Sequence, residues 1–208
     1  MDRRSFGPSI RALLYGSKAA TGEETPMAAM ARTPARAWVE AGLAALASGG
    51  PDAVRIDALA RTLGVTRGSF YWHFTDRDAL LTEVLNDWER AATADVLDRV
   101  ERGGGDPRDR VRRAGALTFS EQLLPIDLAV RDWARHDPGV AERLRRVDNC
   151  RMNYLRTLFG AFCADADEVE ARSMLAFSLL IGSHFLAADH PGRSRAEALQ
   201  LAATWLLA

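Results

Sequence analysis

The sequence repeatedly places a helix-capping residue directly before a proline and follows the pair with apolar residues at helical spacing. Thr33-Pro34, Asp106-Pro107 and Asp137-Pro138 each join such a cap to a proline that fits the first turn of a helix. Glycine-rich clusters at residues 49–51 and 103–105 end the helices that precede them. Since no segment shows the apolar–polar alternation of a half-buried strand, the sequence predicts an all-α fold.

Apolar residues that recur every three or four positions predict where the helices lie. In the fourth helix one stripe runs from Leu81 through Trp88 to Val96, so we expect a single long helix there. The predicted helices span about residues 34–49, 56–63, 66–71, 77–102, 107–123, 126–136, 138–163, 166–189 and 194–207. Residues 1–32 show little periodicity, and we expect this N-terminal arm to be mostly disordered.

Composition and motif content exclude several classes of protein. The longest uncharged run, residues 173–188, is shorter than the ~20 residues that a membrane span needs, and the N-terminus lacks the apolar core of a signal peptide. We therefore expect a cytoplasmic protein. Cys150 and Cys163 lie too far apart for a CxxC motif, and no other residues stand at metal-ligand spacing, so we predict no cofactor and no metal site.

The segment GVTRGSFYWHFTDRDAL, residues 64–80, crowds aromatic side chains together. At helical spacing Phe70 and Phe74 can share one buried face, whereas the rings between them must point elsewhere. The preceding helix ends at Gly64, and Thr66 is placed to cap the next helix after a short turn. Two short helices joined in this way form a helix-turn-helix, whose second helix is the candidate reader of DNA.

The start of this reading helix carries residues that suit nucleic acid. Its N-terminus offers unpaired N–H groups and the positive end of the helix dipole, which favour a phosphate. Arg67 and Ser69 can reach base edges, and Gly68 lets the backbone approach the duplex closely. The net charge of the whole chain is only −1, so this argument depends on local geometry and not on a basic surface.

Four side chains beyond the start of the reading helix are candidates for contact with the DNA backbone. Tyr71, Trp72 and His73 extend from its far end, where amphipathic rings can contact sugar and phosphate. For Trp72, packing on a neighbouring helix is the alternative. Arg77 lies in the first turn of the fourth helix and opposes the helix dipole, so we expect a nearby DNA phosphate to offset that cost.

The segments TPARAWVEAGLAALASGG and VRIDALARTLGVTRGSFYWHFTDRDALL resemble the DNA-binding domain of the tetracycline-repressor (TetR) family, over about residues 33–81. The resemblance implies a phosphate-contacting cap at Thr66 and a base-facing turn at residues 67–69. It implies contacts to the DNA backbone from Tyr71 and His73, and it places Arg77 where a lysine is usual. Arg55 departs from the serine or threonine that commonly caps the second helix, and it adds a candidate phosphate contact.

The resemblance also implies how the chain is organised and what it does. It divides the chain into the arm at residues 1–32, a helix-turn-helix domain at 33–80 and a regulatory and dimerisation domain at 81–208. The implied protein is a homodimeric transcriptional repressor that binds a palindromic operator and is released by a small apolar effector, although the direction of the ligand effect stays open. We expect the last two long helices to form the dimer interface, because residues 173–188 are apolar on more than one face.

Several aromatic, methionine and histidine side chains beyond residue 105 are candidates to line the effector cavity. Stripes of this kind at helical spacing also build ordinary cores, and the sequence does not separate the two interpretations. The candidates are Phe119, Trp133, Met152, Phe159, Phe162, Phe177, His184 and Phe185.

Two other classes of protein are the alternatives to a DNA-binding regulator. An enzyme is disfavoured, because the sequence contains no nucleophile elbow, P-loop, paired-histidine motif or dinucleotide-binding glycine pattern. We therefore predict that the chain is not an enzyme. A helical interaction module without DNA binding would show no salt-dependent affinity for a duplex, and this measurement separates it from a regulator.

Overall fold

Helices make up all the regular structure of the computed structural model, which describes residues 33–208. No strand occurs within that range, so the predicted all-α fold is confirmed. The helices are α1 (Ala35–Gly49), α2 (Ile56–Leu63), α3 (Arg67–Phe70), α4 (Arg77–Ala92), α5 (Ala94–Arg102), α6 (Pro107–Thr118), α7 (Leu124–Trp133), α8 (Pro138–Gly160), α9 (Ala166–Ser183) and α10 (Arg195–Leu206). A short 3-10 turn, Pro51–Ala53, follows α1. The predicted disorder of residues 1–32 lies outside the described residues.

Aspartate caps begin several of the helices. The Asp76 carboxylate accepts from the Ala79 N–H at 2.8 Å, and Asp106 accepts from Asp109 N–H at 3.0 Å. Asp137 accepts from the backbone N–H groups of two residues in the first turn of α8. These bonds satisfy donors that have no partner inside the helix. At α1 the predicted cap at Thr33 is wrong by one position, because Pro34 occupies the N-cap and makes no side-chain bond.

The predicted long helix at 77–102 is wrong, because the chain breaks at Thr93 into α4 and α5. Thr93 has φ −125° and ψ −86°, outside the helical region, and its hydroxyl donates to the Glu89 carbonyl at 2.6 Å. A threonine hydroxyl bonded to the carbonyl four residues back competes with helix geometry and often bends the helix. Because the buried stripe continues from Ala92 to Val96 across the break, periodicity could not reveal it.

Four later helices end earlier than their apolar patterns predict. The helix predicted at 107–123 ends at Thr118, and the next spans Leu124–Trp133. Those predicted at 138–163 and 166–189 end at Gly160 and Ser183. Most of the affected residues lie outside the helices at exposed positions, but a few, such as Leu123 and Phe162, still pack in the hydrophobic clusters and continue the apolar spacing after the helix has ended.

One hydrophobic cluster runs from α1 through α4 to α8. Trp38, Phe70 and Trp88 are fully buried in it, and Val147 lies at its far end. Helix α1 packs against α2, α4 and α7. This cluster continues through Leu80 and Leu81, where we predicted the domain boundary, so the division at residue 80 stays a proposal about function. Within residues 33–208, no helix is both long and apolar enough to cross a bilayer.

A cluster of four charged side chains lies between α7 and α8. Asp127 and Arg151 are only 1% and 5% exposed, and Arg151 Nη2 lies 2.9 Å from Asp127 Oδ1. Arg131 donates through Nε to Asp127 Oδ2 at 2.9 Å and binds Asp148 with both terminal nitrogens. Burial alone would lower the pKa of Arg131, but the hydrogen bonds and charges of the two aspartates more than offset this and raise it. The cluster contains two positive and two negative charges.

The same cluster reaches the end of α4. Arg151 Nε donates to the Ala92 carbonyl at 3.2 Å, and Ala92 is the last residue of α4. A carbonyl in the last turn of a helix has no partner inside that helix. Arg151 therefore supplies a donor at the α4–α5 break and ties α4 to α7 and α8.

Replacing Arg151 with methionine is expected to lower the free energy of unfolding by about 3–5 kcal/mol, since it leaves the buried cluster with a net negative charge. The matched control is Arg145→Met on the same helix, which breaks only an exposed pair with Glu142 and is expected to change stability little. Urea denaturation followed by circular dichroism measures both variants. Equal losses would show that the buried cluster stabilises the fold no more than an exposed ion pair does.

Candidate nucleic-acid interface

The turn between α2 and α3 depends on Gly64. This glycine has φ 69° and ψ 29°, the left-handed conformation that ends many helices, and its N–H bonds back to the carbonyls of Ala60 and Arg61. Val65 N–H also bonds to the Ala60 carbonyl, at 2.9 Å. The predicted helix at 56–63 and its stop are confirmed, and the two helices form a helix-turn-helix.

Phe70 anchors α3, which is only four residues long. Its ring is fully buried, meets Trp38 edge-on at 5.2 Å between ring centroids, and stacks on Phe74 at 5.3 Å. The prediction that Phe70 and Phe74 share a buried face is therefore confirmed. A helix this short has almost no stability of its own, so packing sets its position.

The rings that follow Phe70 lie at the surface. Tyr71 is 52% exposed and Trp72 is 71% exposed, although large aromatic side chains usually contribute to a core. Arg67 lies beside them, with Nη2 3.5 Å from the Tyr71 hydroxyl and Nε 3.0 Å from Asp57 Oδ1 on α2. The hydrogen bond to Tyr71 and then the charge of Asp57 raise the pKa of Arg67. These contacts hold the guanidinium across the helix-turn-helix at its exposed face.

The start of α3 offers polar groups that the helix itself does not use. Thr66 occupies the N-cap position, but its hydroxyl makes no capping bond, so the prediction of a side-chain cap there is wrong. The backbone makes the cap instead, because the Thr66 carbonyl accepts from Ser69 N–H at 3.0 Å. A Cβ built on Gly68 would meet only the Thr66 hydroxyl, at 3.6 Å, so the protein itself leaves room for a side chain at this exposed position.

His73 and Arg77 both have partners inside the protein. His73 Nε2 lies 2.7 Å from the Thr33 carbonyl and must carry the proton, since a carbonyl only accepts. Arg77 donates through Nε to the Val54 carbonyl at 2.8 Å and through Nη2 to the Pro51 carbonyl. The expectation that Arg77 needs a DNA phosphate to offset its position is therefore wrong, because these carbonyls already do so. A phosphate contact from either residue stays a prediction.

Arg55 occupies the N-cap position of α2, and its side chain does not cap the helix. It stands there in an extended conformation and accepts from Leu59 N–H at 2.9 Å through its carbonyl. Its side chain is exposed, directly before α2, the first helix of the helix-turn-helix. The predicted phosphate contact of Arg55 is compatible with this position.

The structure separates the candidate effector residues into three groups. Phe119 and Phe177 line an apolar cavity between α5, α6, α8 and α9, with a volume of about 40 Å³. Four others pack in the hydrophobic clusters: Trp133, Met152, Phe159 and Phe162. His184 and Phe185 follow α9 at the surface, and the His184 ring lies parallel to Phe119 at 6.0 Å.

Sequence reasoning missed the charged side chain in the wall of this cavity, that of Arg151. A signal was available, because Arg151 follows Val147 by four positions and precedes Leu155 by four, within the apolar stripe of α8. A charged residue in an apolar stripe needs a buried partner or a functional role. Among residues 33–208, no group of three or more histidine, cysteine, aspartate or glutamate side chains is placed to hold a metal ion.

Replacing Arg77 with glutamine is expected to lower the free energy of unfolding by about 1–3 kcal/mol, because the Pro51 and Val54 carbonyls lose a charged donor. Arg55→Gln is the matched control, since its exposed side chain makes no capping bond, and we expect little change. Urea unfolding without DNA measures both. An unchanged Arg77→Gln midpoint would show that its intramolecular bonds contribute nothing.

Comparison with known proteins gives a match on the helix-turn-helix. Residues 39–84 match the family described as bacterial regulatory proteins, tetR family. HTH-type transcriptional regulator Rv1816 of Mycobacterium tuberculosis is 33% identical over 101 residues, which is 49% of this chain. The match spans only 38% of that relative's length.

Solved structures share the fold over most of the chain. A transcriptional regulator from Saccharomonospora viridis in complex with choline has a TM-score of 0.65 and 21% identity, covering 83% of this chain and 94% of that one. AibR, in complex with isovaleryl coenzyme A and operator DNA, has a TM-score of 0.61 and 13% identity, covering 83% and 97%.

The family match falls on the helix-turn-helix described above, and the matched relative is a transcriptional regulator. The prediction that the chain is not an enzyme is therefore confirmed. The predicted resemblance is confirmed over the helix-turn-helix, because residues 39–84 match the family described as bacterial regulatory proteins, tetR family.

Proposed function

We propose that this protein is a homodimeric transcriptional repressor that binds a palindromic operator and leaves it when a small molecule binds. The observation that carries the proposal is the exposed face of α3, where Arg67, Tyr71 and Trp72 lie at the surface above a buried Phe70. A helix that reads the major groove needs a rigidly packed inner face and exposed polar and aromatic groups on its outer face.

In this proposal the start of α3 enters the major groove. Arg67 donates to a base edge from the position where Asp57 and Tyr71 now hold it, and Ser69 supplies a second polar contact. The Thr66 hydroxyl, which the helix leaves unused, bonds a phosphate, and Gly68 lets the backbone come close. Operator DNA in the complex of AibR supports this docking.

The surrounding side chains bind the DNA backbone. Tyr71, Trp72 and the exposed Arg55 contact sugar and phosphate on either side of the reader. His73 and Arg77 contribute mainly by holding the polypeptide around the reader, since their nitrogens already bond to backbone carbonyls. This division changes the expected effect of substitution, because Arg55 acts on affinity and Arg77 acts first on stability.

The second copy of the chain covers the outer face of α9 and α10. Large apolar side chains are exposed there, with Trp205 at 82%, and exposed apolar patches of this kind mark interaction sites. The exposed set comprises Met174, Leu175, Phe185, Leu186, Leu201 and Trp205. A two-fold pairing through these helices gives two readers in one dimer, as a palindromic operator requires.

A small, largely apolar effector binds in the cavity between α5, α6, α8 and α9. Its effect on the reader cannot follow a single long helix, because α4 ends at Ala92. Two contacts connect the cavity to the reader instead. Arg151 in the cavity wall bonds to the Ala92 carbonyl at the end of α4, and α7 packs directly on α1. Coupling between sites is typically about 1–3 kcal/mol, which corresponds to about 5- to 150-fold in operator affinity. Choline and isovaleryl coenzyme A in the two similar structures support a small-molecule ligand.

Replacing Arg67 with alanine is expected to relax sequence preference, reducing the ratio of operator to random-duplex affinity about tenfold. The operator is first selected from a random duplex pool with the wild-type protein, and both affinities are then titrated at several salt concentrations. Arg145→Ala, on α8, is the control of equal charge and should leave the ratio unchanged. If the wild type shows no salt-dependent duplex affinity, the alternative of a helical interaction module is correct.

Introducing Leu201→Glu with Trp205→Glu is expected to convert the homodimer to a monomer, because two charges would be buried in an apolar interface. The control adds the same charge at two exposed positions elsewhere, Gln122→Glu with Asn149→Glu. Sedimentation velocity in dilute solution measures the mass. A wild-type protein that is monomeric at the concentration where it binds operator would refute the dimer.

A further inference from the structure

The cavity between α5, α6, α8 and α9 has an almost entirely apolar wall. Val96, Ala114, Leu155, Ala176 and Leu180 are among its lining residues, together with the two phenylalanines already named. The polar lining side chains are Thr118, Tyr154 and Arg151. The Tyr154 hydroxyl already has a hydrogen-bond partner, because it donates to Glu101 Oε1 at 2.6 Å.

Arg151 brings a buried donor that the protein does not satisfy. Its Nε bonds to the Ala92 carbonyl at 3.2 Å and its Nη2 to Asp127 Oδ1 at 2.9 Å. Nη1 is fully buried and has no hydrogen-bond acceptor among the described residues. The carboxylate oxygen Asp148 Oδ1 is 3.6 Å from Nη1, beyond hydrogen-bond distance, and accepts from Arg131 Nη2 at 2.6 Å. Buried polar groups in native proteins nearly always have a partner, so this nitrogen favours an acceptor from outside the chain.

The charge of the surrounding cluster selects the kind of acceptor. Arg131 and Arg151 are balanced by Asp127 and Asp148, and each arginine is paired with both aspartates. A carboxylate ligand would add an uncompensated negative charge in a buried site, which is strongly unfavourable. A neutral oxygen acceptor satisfies Nη1 and leaves the balance intact.

We propose that this cavity binds a neutral carbonyl compound whose oxygen accepts a hydrogen bond from Nη1 of Arg151. The proposal rests on the effector site of the proposed function and adds the chemical class of its ligand. The apolar wall takes the hydrocarbon part of the molecule, and Arg151 fixes the orientation of its single polar group.

Arg151 also connects such a ligand to the rest of the fold. The guanidinium that binds the carbonyl holds the end of α4 through Ala92 and holds α7 through Asp127. Both helices pack against α1, on which the reader rests. Because the guanidinium is planar and rigid, a shift that improves the bond at Nη1 changes the geometry of the other two bonds.

The size of the cavity determines the probes. A volume of about 40 Å³ holds roughly three water-sized spheres. Acetone, isobutene and acetate each have four heavy atoms in the same planar arrangement, and they present respectively a neutral acceptor, no acceptor and an anion. Together they test the chemistry of the site without a known effector.

Binding is measured by NMR titration of the full chain without DNA, following the methyl groups of Leu155, Ala176 and Leu180 in the cavity wall. We expect acetone to bind about tenfold more tightly than isobutene, as a hydrogen bond to a charged donor implies, and acetate to bind more weakly than acetone. Equal affinities of acetone and isobutene, tighter binding of acetate, or no shifts of these methyl groups with any probe would each overturn the proposal.

A charge-balanced variant tests the role of Arg151. Arg151→Met with Asp127→Asn removes one charge of each sign, so the remaining Arg131–Asp148 pair stays neutral. We expect the preference for acetone over isobutene to disappear in this variant. Thr118→Val removes the other uncommitted polar group of the wall, and loss of the preference there instead would overturn the assignment to Arg151.

Folding and DNA binding are controlled separately. If the double variant does not fold, as judged by circular dichroism, Arg151→Lys replaces it and should lose most of the preference, because a lysine lacks the planar fork that places Nη1. An unchanged preference in the folded variant overturns the proposal. A protein that discriminates the probes but has no affinity for duplexes would refute the proposed function and leave the ligand class standing.

Discussion

The burial of Phe70 between Trp38 and Phe74 is the contact on which the exposed reader depends. Helix α3 contains one helical turn, so its own hydrogen bonds cannot keep it folded or oriented. Removing the Phe70 ring would take away the apolar contact of that turn with the core, at a cost of about 3–5 kcal/mol by the usual scale for buried phenylalanine. The outward direction of Tyr71 and Trp72 follows from the inward direction of Phe70.

Trp38 in turn is held by a core that does not stop at the helix-turn-helix. Helix α1 lies against both α4 and α7, and the cluster continues through Trp88 to Val147 on α8. Close-packed interiors rearrange in discrete steps and transmit strain, so a displacement of α7 must be accommodated by α1. Packing of this kind couples the helix-turn-helix to α7 and α8, with no hinge between them.

The buried charges provide the directional part of that coupling. Apolar contacts tolerate small sliding motions, whereas the bonds of Arg151 to Asp127 and to the Ala92 carbonyl have fixed lengths and angles. Nη1 of Arg151 has no acceptor in this cluster. A ligand that supplies one gives the guanidinium a second stable arrangement. The α4–α5 break at Thr93 therefore has a structural role, since the interruption exposes the Ala92 carbonyl to which Arg151 donates.

The sequence predicted what depends on neighbours in the chain and missed what depends on distant ones. The aspartate caps at Asp106 and Asp137, the stop at Gly64 and the shared face of Phe70 and Phe74 are local, and all were predicted. Arg77 was misjudged because its partners, the carbonyls of Pro51 and Val54, lie more than twenty positions away. A dipole argument confined to one helix could not include them.

The spacing of apolar residues also failed to predict which face of α9 lies inside the subunit, because both faces are apolar. Residues of α9 alternate between an inner face, where Ala176 and Phe177 line the cavity, and an outer face, where Met174 and Leu175 are exposed. The sequence therefore could not tell which residues of this segment face inward and which face outward. In the proposed homodimer the outer face meets the second copy, and α9 becomes a wall shared by the ligand site and the interface. A ligand that displaces α9 then acts on the separation of two readers, which must stay about 34–36 Å apart to fit successive turns of a duplex.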